Sequence, residues 1–201
     1  MLDKLKTLQA KYPWPSGKPS LAFNDQGWFP KCNQEMLSRF ISKDTKLIVE
    51  LGAWLGLSTR WLLDHALNAK VITIDHWKGD AATTKEPVLP VLYETFVSNC
   101  WTYQDRLVPM KTTTLEGMTE IMNLGLKPDL IYVDAGHDYD SAVQDIRKAT
   151  GFGCVMVGDD FNPNAWAGVV RAVWEEAINQ NRDLSIHGNA WCMRQPEKPN
   201  A

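Results

Sequence analysis

Four side chains in the second half of the chain are of the types that hold a metal ion and move a proton. Asp134 and His137 stand in Asp134-Ala135-Gly136-His137, and Asp159 is followed directly by Asp160. Asp134 ends the apolar run Leu130-Ile131-Tyr132-Val133, and the acidic pair ends Val155-Met156-Val157-Gly158. Carboxylates gathered at such ends repel one another unless a cation or a proton neutralises them. Oxygen ligands alone suit a hard ion such as Mg²⁺. A hydroxyl held on that ion becomes more acidic, and a nearby imidazole can take its proton near neutral pH. Taken singly, each residue has a plainer reading: an Asp commonly caps the segment after it, and a lone loop histidine is commonly solvated.

A second chemical feature lies in Leu47-Ile48-Val49-Glu50-Leu51-Gly52-Ala53-Trp54-Leu55-Gly56-Leu57-Ser58-Thr59. The run Leu-Ile-Val lacks polar alternation, as a strand covered on both faces does. It ends in an acid, turns at two glycines and enters a helix, whose first N–H groups favour negative charge. An open α/β sheet holds a nucleotide-like ligand at such a place. The spacing E-x-G-x-x-x-G departs from the G-x-G-x-x-G of a dinucleotide site, so it suits a ligand without a pyrophosphate. Asp75 ends the next apolar run, Val71-Ile72-Thr73-Ile74, where a carboxylate can accept both hydroxyls of a ribose.

These residues need a scaffold, and the rest of the chain supplies one. Strands are predicted at 46–51, 71–75, 107–110, 129–134 and 153–158. Helices follow them at 56–67, 90–101, 115–124, 139–149 and 167–180. Such alternation predicts a mostly parallel sheet with helices on both faces. Gly188-Asn189 between two short runs, 183–187 and 190–194, predicts a C-terminal antiparallel hairpin, which brings the strands to seven. Residues 2–11 and 33–41 read as short helices, the second capped by Asn33. The Pro-interrupted segment 1–40 reads as a cap over the sheet's carboxyl edge, and the tail after Gln195 as mobile.

Glu50-Leu51-Gly52-Ala53-Trp54-Leu55-Gly56 with Asp75 resembles motifs I and II of class I S-adenosylmethionine-dependent methyltransferases. It is most similar to the metal-dependent O-methyltransferases of the catechol, macrocin and cephalosporin-hydroxyl types. The resemblance runs over residues 46–194 and implies one Rossmann-like domain, 1–201, with S-adenosyl-L-methionine and Mg²⁺ as cofactors. It places Glu50, Gly52, Ala53, Trp54, Ser58, Asp75, His76, Thr114 and Asp134 at the cofactor. In its topology Asp134, Asp159 and Asp160 converge as metal ligands beside the glycine turn, with Asp134 and His137 as the catalytic pair. The catechol type carries an amide as its last ligand and a lysine at the base position. Asp160 and His137 therefore favour the antibiotic-tailoring branch. The Thr112-Thr113-Thr114 stretch lacks the family's usual small-acid-small pattern at the adenine.

Composition narrows the partners. With 21 basic and 24 acidic side chains in 201 residues, the chain has no electrostatic footprint for nucleic acid. No apolar run approaches a membrane span and no signal peptide is evident. Cys32, Cys100, Cys154 and Cys192 lack metal or disulfide spacing, which suits reduced thiols and a cytoplasmic location. The expected reaction is Mg²⁺-dependent O-methylation of a small-molecule hydroxyl. A metal-independent methyltransferase, a non-catalytic cofactor-binding module and, less favoured by the glycine spacing, an NAD-linked oxidoreductase are the alternatives. Oligomeric state stays open, a homodimer included.

Overall fold

The computed structural model describes residues 1–196; the tail expected to be mobile lies, from residue 197, outside the described residues. Five parallel strands form the body of the sheet: β1 (Leu47–Leu51), β2 (Lys70–Asp75), β3 (Leu107–Lys111), β4 (Leu130–Val133) and β5 (Val155–Gly158). The hairpin β6 (Asp183–His187) and β7 (Ala190–Arg194) adds two strands, β7 antiparallel to β5. The order is β3-β2-β1-β4-β5-β7-β6. Strand order therefore reverses between β1 and β4, and that switch point opens a crevice at the strands' carboxyl ends. The expected Rossmann-like α/β sheet and its terminal hairpin are both present.

Two apolar layers sandwich the sheet because successive strand residues point to opposite faces. Leu47, Val49 and Leu51 join Ile72, Ile74, Ile131 and Met156 on one face. That face is covered by α1 (Leu2–Lys11), α5 (Thr114–Asn123), α6 (Tyr139–Thr150) and α7 (Ala167–Asn179). Ile48, Val71, Leu130, Tyr132 and Val157 face the other side, under α2 (Lys31–Ser38), α3 (Leu57–His65) and α4 (Leu92–Asn99). No helix among the described residues is long and apolar enough to cross a membrane. All four cysteines are free thiols.

Two expectations are corrected. The helix predicted at 33–41 begins at Lys31 with Pro30 as its cap residue. Asn33 is no cap: it is fully buried and its Nδ2 donates to the Tyr132 hydroxyl at 2.9 Å. A buried hydroxyl under the helix needed a partner, and that tertiary demand overrode the local capping preference. The N-terminal segment runs as a belt around the sheet and reaches the carboxyl edge in its second half. α1 buries Leu5 and Leu8 on the α5 side. Trp14 Nε1 then reaches the Leu107 carbonyl at the amino end of β3, at 3.2 Å. Residues around 24–33 meet the carboxyl edge, through Gln26 on Trp54, Phe29 on Tyr132 and Asn33 on the Tyr132 hydroxyl.

Candidate active site at the carboxyl edge

The glycine turn is dictated by chain packing on chain. Gly52 has φ +83°, and a Cβ there would lie 1.9 Å from the Asp134 carbonyl oxygen. Gly56, also left-handed at +82°, caps α3 with its missing Cβ replaced by Cys100 Sγ and the Phe96 ring. At both glycines the space a side chain would take is filled by protein atoms. Three non-glycine residues at the same edge also adopt positive φ: Trp54 at 49°, Trp77 at 50° and Asp160 at 67°. Such backbone is uncommon, costly for a bulky residue, and tends to gather at functional sites.

Asp75 ties this edge together. Its Oδ2 accepts from the amides of Ala53 at 2.9 Å and Trp54 at 3.1 Å, and its Oδ1 from the Trp77 amide at 2.6 Å. Trp77 Nε1 in turn donates to the Trp54 carbonyl at 3.0 Å. The carboxylate expected to meet ribose hydroxyls thus bonds the turn after β1 to the turn after β2. His76, beside it, is exposed and accepts from the Lys78 amide at 3.0 Å.

Glu50 is fully buried, in register with Thr73 and Tyr132. Ser58 Oγ donates to Oε1 at 2.6 Å and Thr59 Oγ1 to Oε2 at 2.5 Å. Burial lifts the Glu50 carboxyl to about 7 despite those two hydroxyls, which pull the other way. Ser58, assigned to the cofactor from sequence, has its hydroxyl on Glu50. Thr114 likewise directs its hydroxyl to Asp145 of α6, at 2.5 Å.

The acidic cluster forms where β4 and β5 end. Ligand atoms of Asp134, His137 and Asp160 all lie within 4.8 Å of one another. The Tyr132 hydroxyl, itself held by Asn33, donates to Asp134 Oδ2 at 3.1 Å. His137 Nε2 stands 3.1 Å from Asp160 Oδ2, and its Nδ1 2.5 Å from Asp80 Oδ2. The Trp166 ring covers the imidazole, centroids 4.4 Å apart and planes at 30°. Asp159 is next to this set but outside it: its Oδ1 accepts from the Asp160 amide at 2.7 Å.

Burial and mutual charge together set protonation here. Burial first, then the charges of Asp159 and Asp160, hold the Asp134 carboxyl well above the usual range. Burial likewise raises Asp159, to about 6. For His137 burial works to lower the value, but Asp160, then Asp80 and Asp134, outweigh it and raise the imidazole to about 9. A cluster of acids that favours protons this strongly also favours a cation, and carboxylates with one imidazole fit a divalent ion.

Sequence reasoning missed Asp80, Tyr132 and Asn33. Asp80 comes from the loop after β2, whose place in space no local pattern announces. Tyr132 was visible only as a polar-tipped residue in an apolar strand, two positions before the acid.

The chain matches, over residues 49–161, a family described as "Methyltransferase domain". No curated protein sequence matches it. Among solved structures it is similar to cofactor-bound Rv0187 from MTB, 16% identical, with 97% of this chain and 90% of that one aligned at a TM-score of 0.63. It is similar to the O-methyltransferase from Bacillus cereus in complex with SAH, 17% identical, with 96% and 88% aligned and a TM-score of 0.59. It is also similar to CalS11, a calicheamicin methyltransferase, 14% identical, with 81% and 77% aligned and a TM-score of 0.58. The matched segment covers more than half of the chain and contains the glycine turn, Asp75, the Asp134–His137 loop and both acids after β5. The chain belongs to the methyltransferase-domain family and is an S-adenosylmethionine-dependent class I methyltransferase.

Proposed function

We propose that this methyltransferase acts on a hydroxyl oxygen of a small molecule, with Mg²⁺ at the acidic cluster and His137 as general base. The observation that carries the proposal is the convergence of Asp134, His137 and Asp160 next to the glycine turn. Asp134 contributes its side chain to that cluster, while its carbonyl fills the space above Gly52. Donor turn and acceptor site therefore share one residue, as in-line methyl transfer requires of two reactants held in register.

S-adenosylmethionine, when bound, supplies a methyl group already electrophilic on its sulfonium, so the protein's task is alignment and acceptor activation. Glu50, the backbone of Gly52, Ala53 and Trp54, and Asp75 form the wall available to it, with Ser58 acting through Glu50. Asp134 and Asp160 are the residues that would hold Mg²⁺, with Asp159 beside them as the third acid, and the ion would lower the pKa of a coordinated hydroxyl. His137 Nε2 faces the same space and would accept the proton released there once a cation neutralised Asp134 and Asp160, whose charges help to hold the imidazole at about 9. Trp166, lying over the imidazole, shields that transfer from water.

The near-balance of acidic and basic residues supports a small acceptor over nucleic acid. By analogy of fold with CalS11, described as a TDP-rhamnose 3′-O-methyltransferase, a sugar, polyol or antibiotic hydroxyl is the class to screen. One observation favours a second reading. His137 already bridges Asp80 and Asp160, so the imidazolium could neutralise the cluster in a metal-free transferase.

A single assay separates the two. Turnover of S-adenosylmethionine with a hydroxyl panel is measured with Mg²⁺ and with EDTA, on wild type and Asp160→Ala. The proposal expects EDTA and the substitution each to abolish turnover, with cofactor affinity in Asp160→Ala nearly unchanged. Equal rates with and without chelator select the metal-free reading.

A further inference from the structure

We infer that Asp80 is the positioning residue of His137, fixing which imidazole nitrogen faces the acceptor site. The inference rests on the reading of His137 as the base, and it concerns a residue outside the ligand set. Asp80 belongs to the segment between β2 and α4, more than fifty positions before His137, yet its Oδ2 lies 2.5 Å from His137 Nδ1.

The two oxygens of Asp80 divide their work. Oδ1 is held by its own loop, accepting from the amides of Ala82 and Thr83, each at 3.0 Å, and from the Thr83 hydroxyl at 2.9 Å. The Asp80 amide donates back to Thr83 Oγ1 at 2.7 Å. Gly79 before it is left-handed at φ +69°, where a Cβ would sit 2.6 Å from both Thr83 Oγ1 and Leu89. The loop is therefore knotted around one carboxylate oxygen, and the other projects to the imidazole.

A carboxylate can only accept, so His137 Nδ1 must carry the hydrogen of this bond. By the same rule Nε2, 3.1 Å from Asp160 Oδ2, carries a hydrogen while that carboxylate is uncompensated, and it is this nitrogen, not the one tied to Asp80, that exchanges its proton on the acceptor side. Which nitrogen of a histidine is protonated is set by the bond the other one makes. A free histidine side chain prefers the hydrogen on Nε2, the arrangement that would leave the acceptor side without a lone pair. Trp166 fixes the tilt of the ring from its face, and Asp80 fixes its rotation in the plane.

The test uses ¹⁵N NMR of the full-length protein with Mg²⁺ and S-adenosylhomocysteine, in buffer alkaline enough for a neutral ring. Wild type is expected to show His137 hydrogenated at Nδ1, and Asp80→Ala to move that hydrogen to Nε2. Thr83→Ala loosens the loop but keeps the carboxylate, and is expected to retain the Nδ1 form. In turnover assays Asp80→Ala is expected to lower kcat about 10- to 100-fold with the KM for S-adenosylmethionine unchanged. An unchanged tautomer in Asp80→Ala overturns the inference, as does an equal shift in Thr83→Ala. Failure of every hydroxyl acceptor defeats the proposed reaction instead, because the tautomer is read without turnover.

Discussion

The amide of Asp134 donates to the carbonyl of Leu51 at 2.8 Å, and the Asp134 carbonyl lies in the space where a Cβ of Gly52 would be. The last ladder bond between β1 and β4 thus delivers the head of the acidic cluster directly onto the first glycine of the turn after β1. In the proposed reaction, the donor site and the acceptor site would be joined by that one strand pairing.

That contact predicts a large effect for a small change. Gly52→Ala meets both a left-handed backbone and a 1.9 Å collision with main chain, which cannot swing aside. The expected loss is roughly 2–4 kcal/mol of stability by urea unfolding, together with weakened cofactor binding. Gly153→Ala is the control, being left-handed at φ +75° with nothing within 4 Å of the added carbon. It should cost only about 1–2 kcal/mol. Equal losses at the two sites would show that the Gly52–Asp134 approach has no energetic weight.

Glu50 predicts a pH dependence. Its folded carboxyl titrates at about 7, above its ordinary 4.5, because it is buried. The native state therefore binds that proton more tightly than the unfolded chain does. The resulting stabilisation is complete below about pH 4.5 and is lost as pH rises through about 7. Glu50→Gln removes the titration. Between about pH 4.5 and about pH 8 the stability difference should move toward the variant by on the order of 3 kcal/mol. A difference that stays flat with pH would mean Glu50 ionises as freely in the fold as outside it.

His137→Gln keeps a polar side chain of similar reach but cannot accept and return a proton in the same way. Turnover of a hydroxyl acceptor is expected to fall roughly 10²- to 10⁴-fold. Cofactor affinity by calorimetry should be unchanged, since the imidazole's partners are Asp80, Asp160 and Trp166. A fall of less than about tenfold would remove His137 from the base role.

Thr114→Val tests whether that hydroxyl serves the cofactor or the fold. Asp145 is buried, and burial holds its carboxyl at about 6 with the Thr114 hydroxyl as its partner. Removing the donor should cost about 1–3 kcal/mol of stability and leave cofactor affinity intact. Loss of affinity without loss of stability would instead place the hydroxyl in the cofactor pocket.

The acids at strand ends were legible because a buried strand with no polar alternation rarely closes on a carboxylate without a reason. Glu50, Asp75, Asp134 and Asp159 all announce themselves in that way. What each acid bonds was not legible. Asp75 pairs with the Ala53 and Trp54 amides and Glu50 with two hydroxyls of α3, and these partners depend on how a turn closes in space. The positive φ values of Trp54, Trp77 and Asp160 were equally hidden, since neither tryptophan favours such backbone and only tertiary contacts hold it there.

Alternation of apolar strands with amphipathic helices, two glycines at a turn and a Gly-Asn hairpin determined the architecture, because each is a local pattern that reads out neighbouring residues. The order of strands at the switch point followed from resemblance to a known family. Tertiary structure alone decided that Asn33, Tyr132 and Asp80 stand around the acidic cluster, and that the N-terminal segment girdles the sheet. Those contacts join residues far apart in the chain, and each is chosen by an unsatisfied polar group finding the one partner that packing brings within reach.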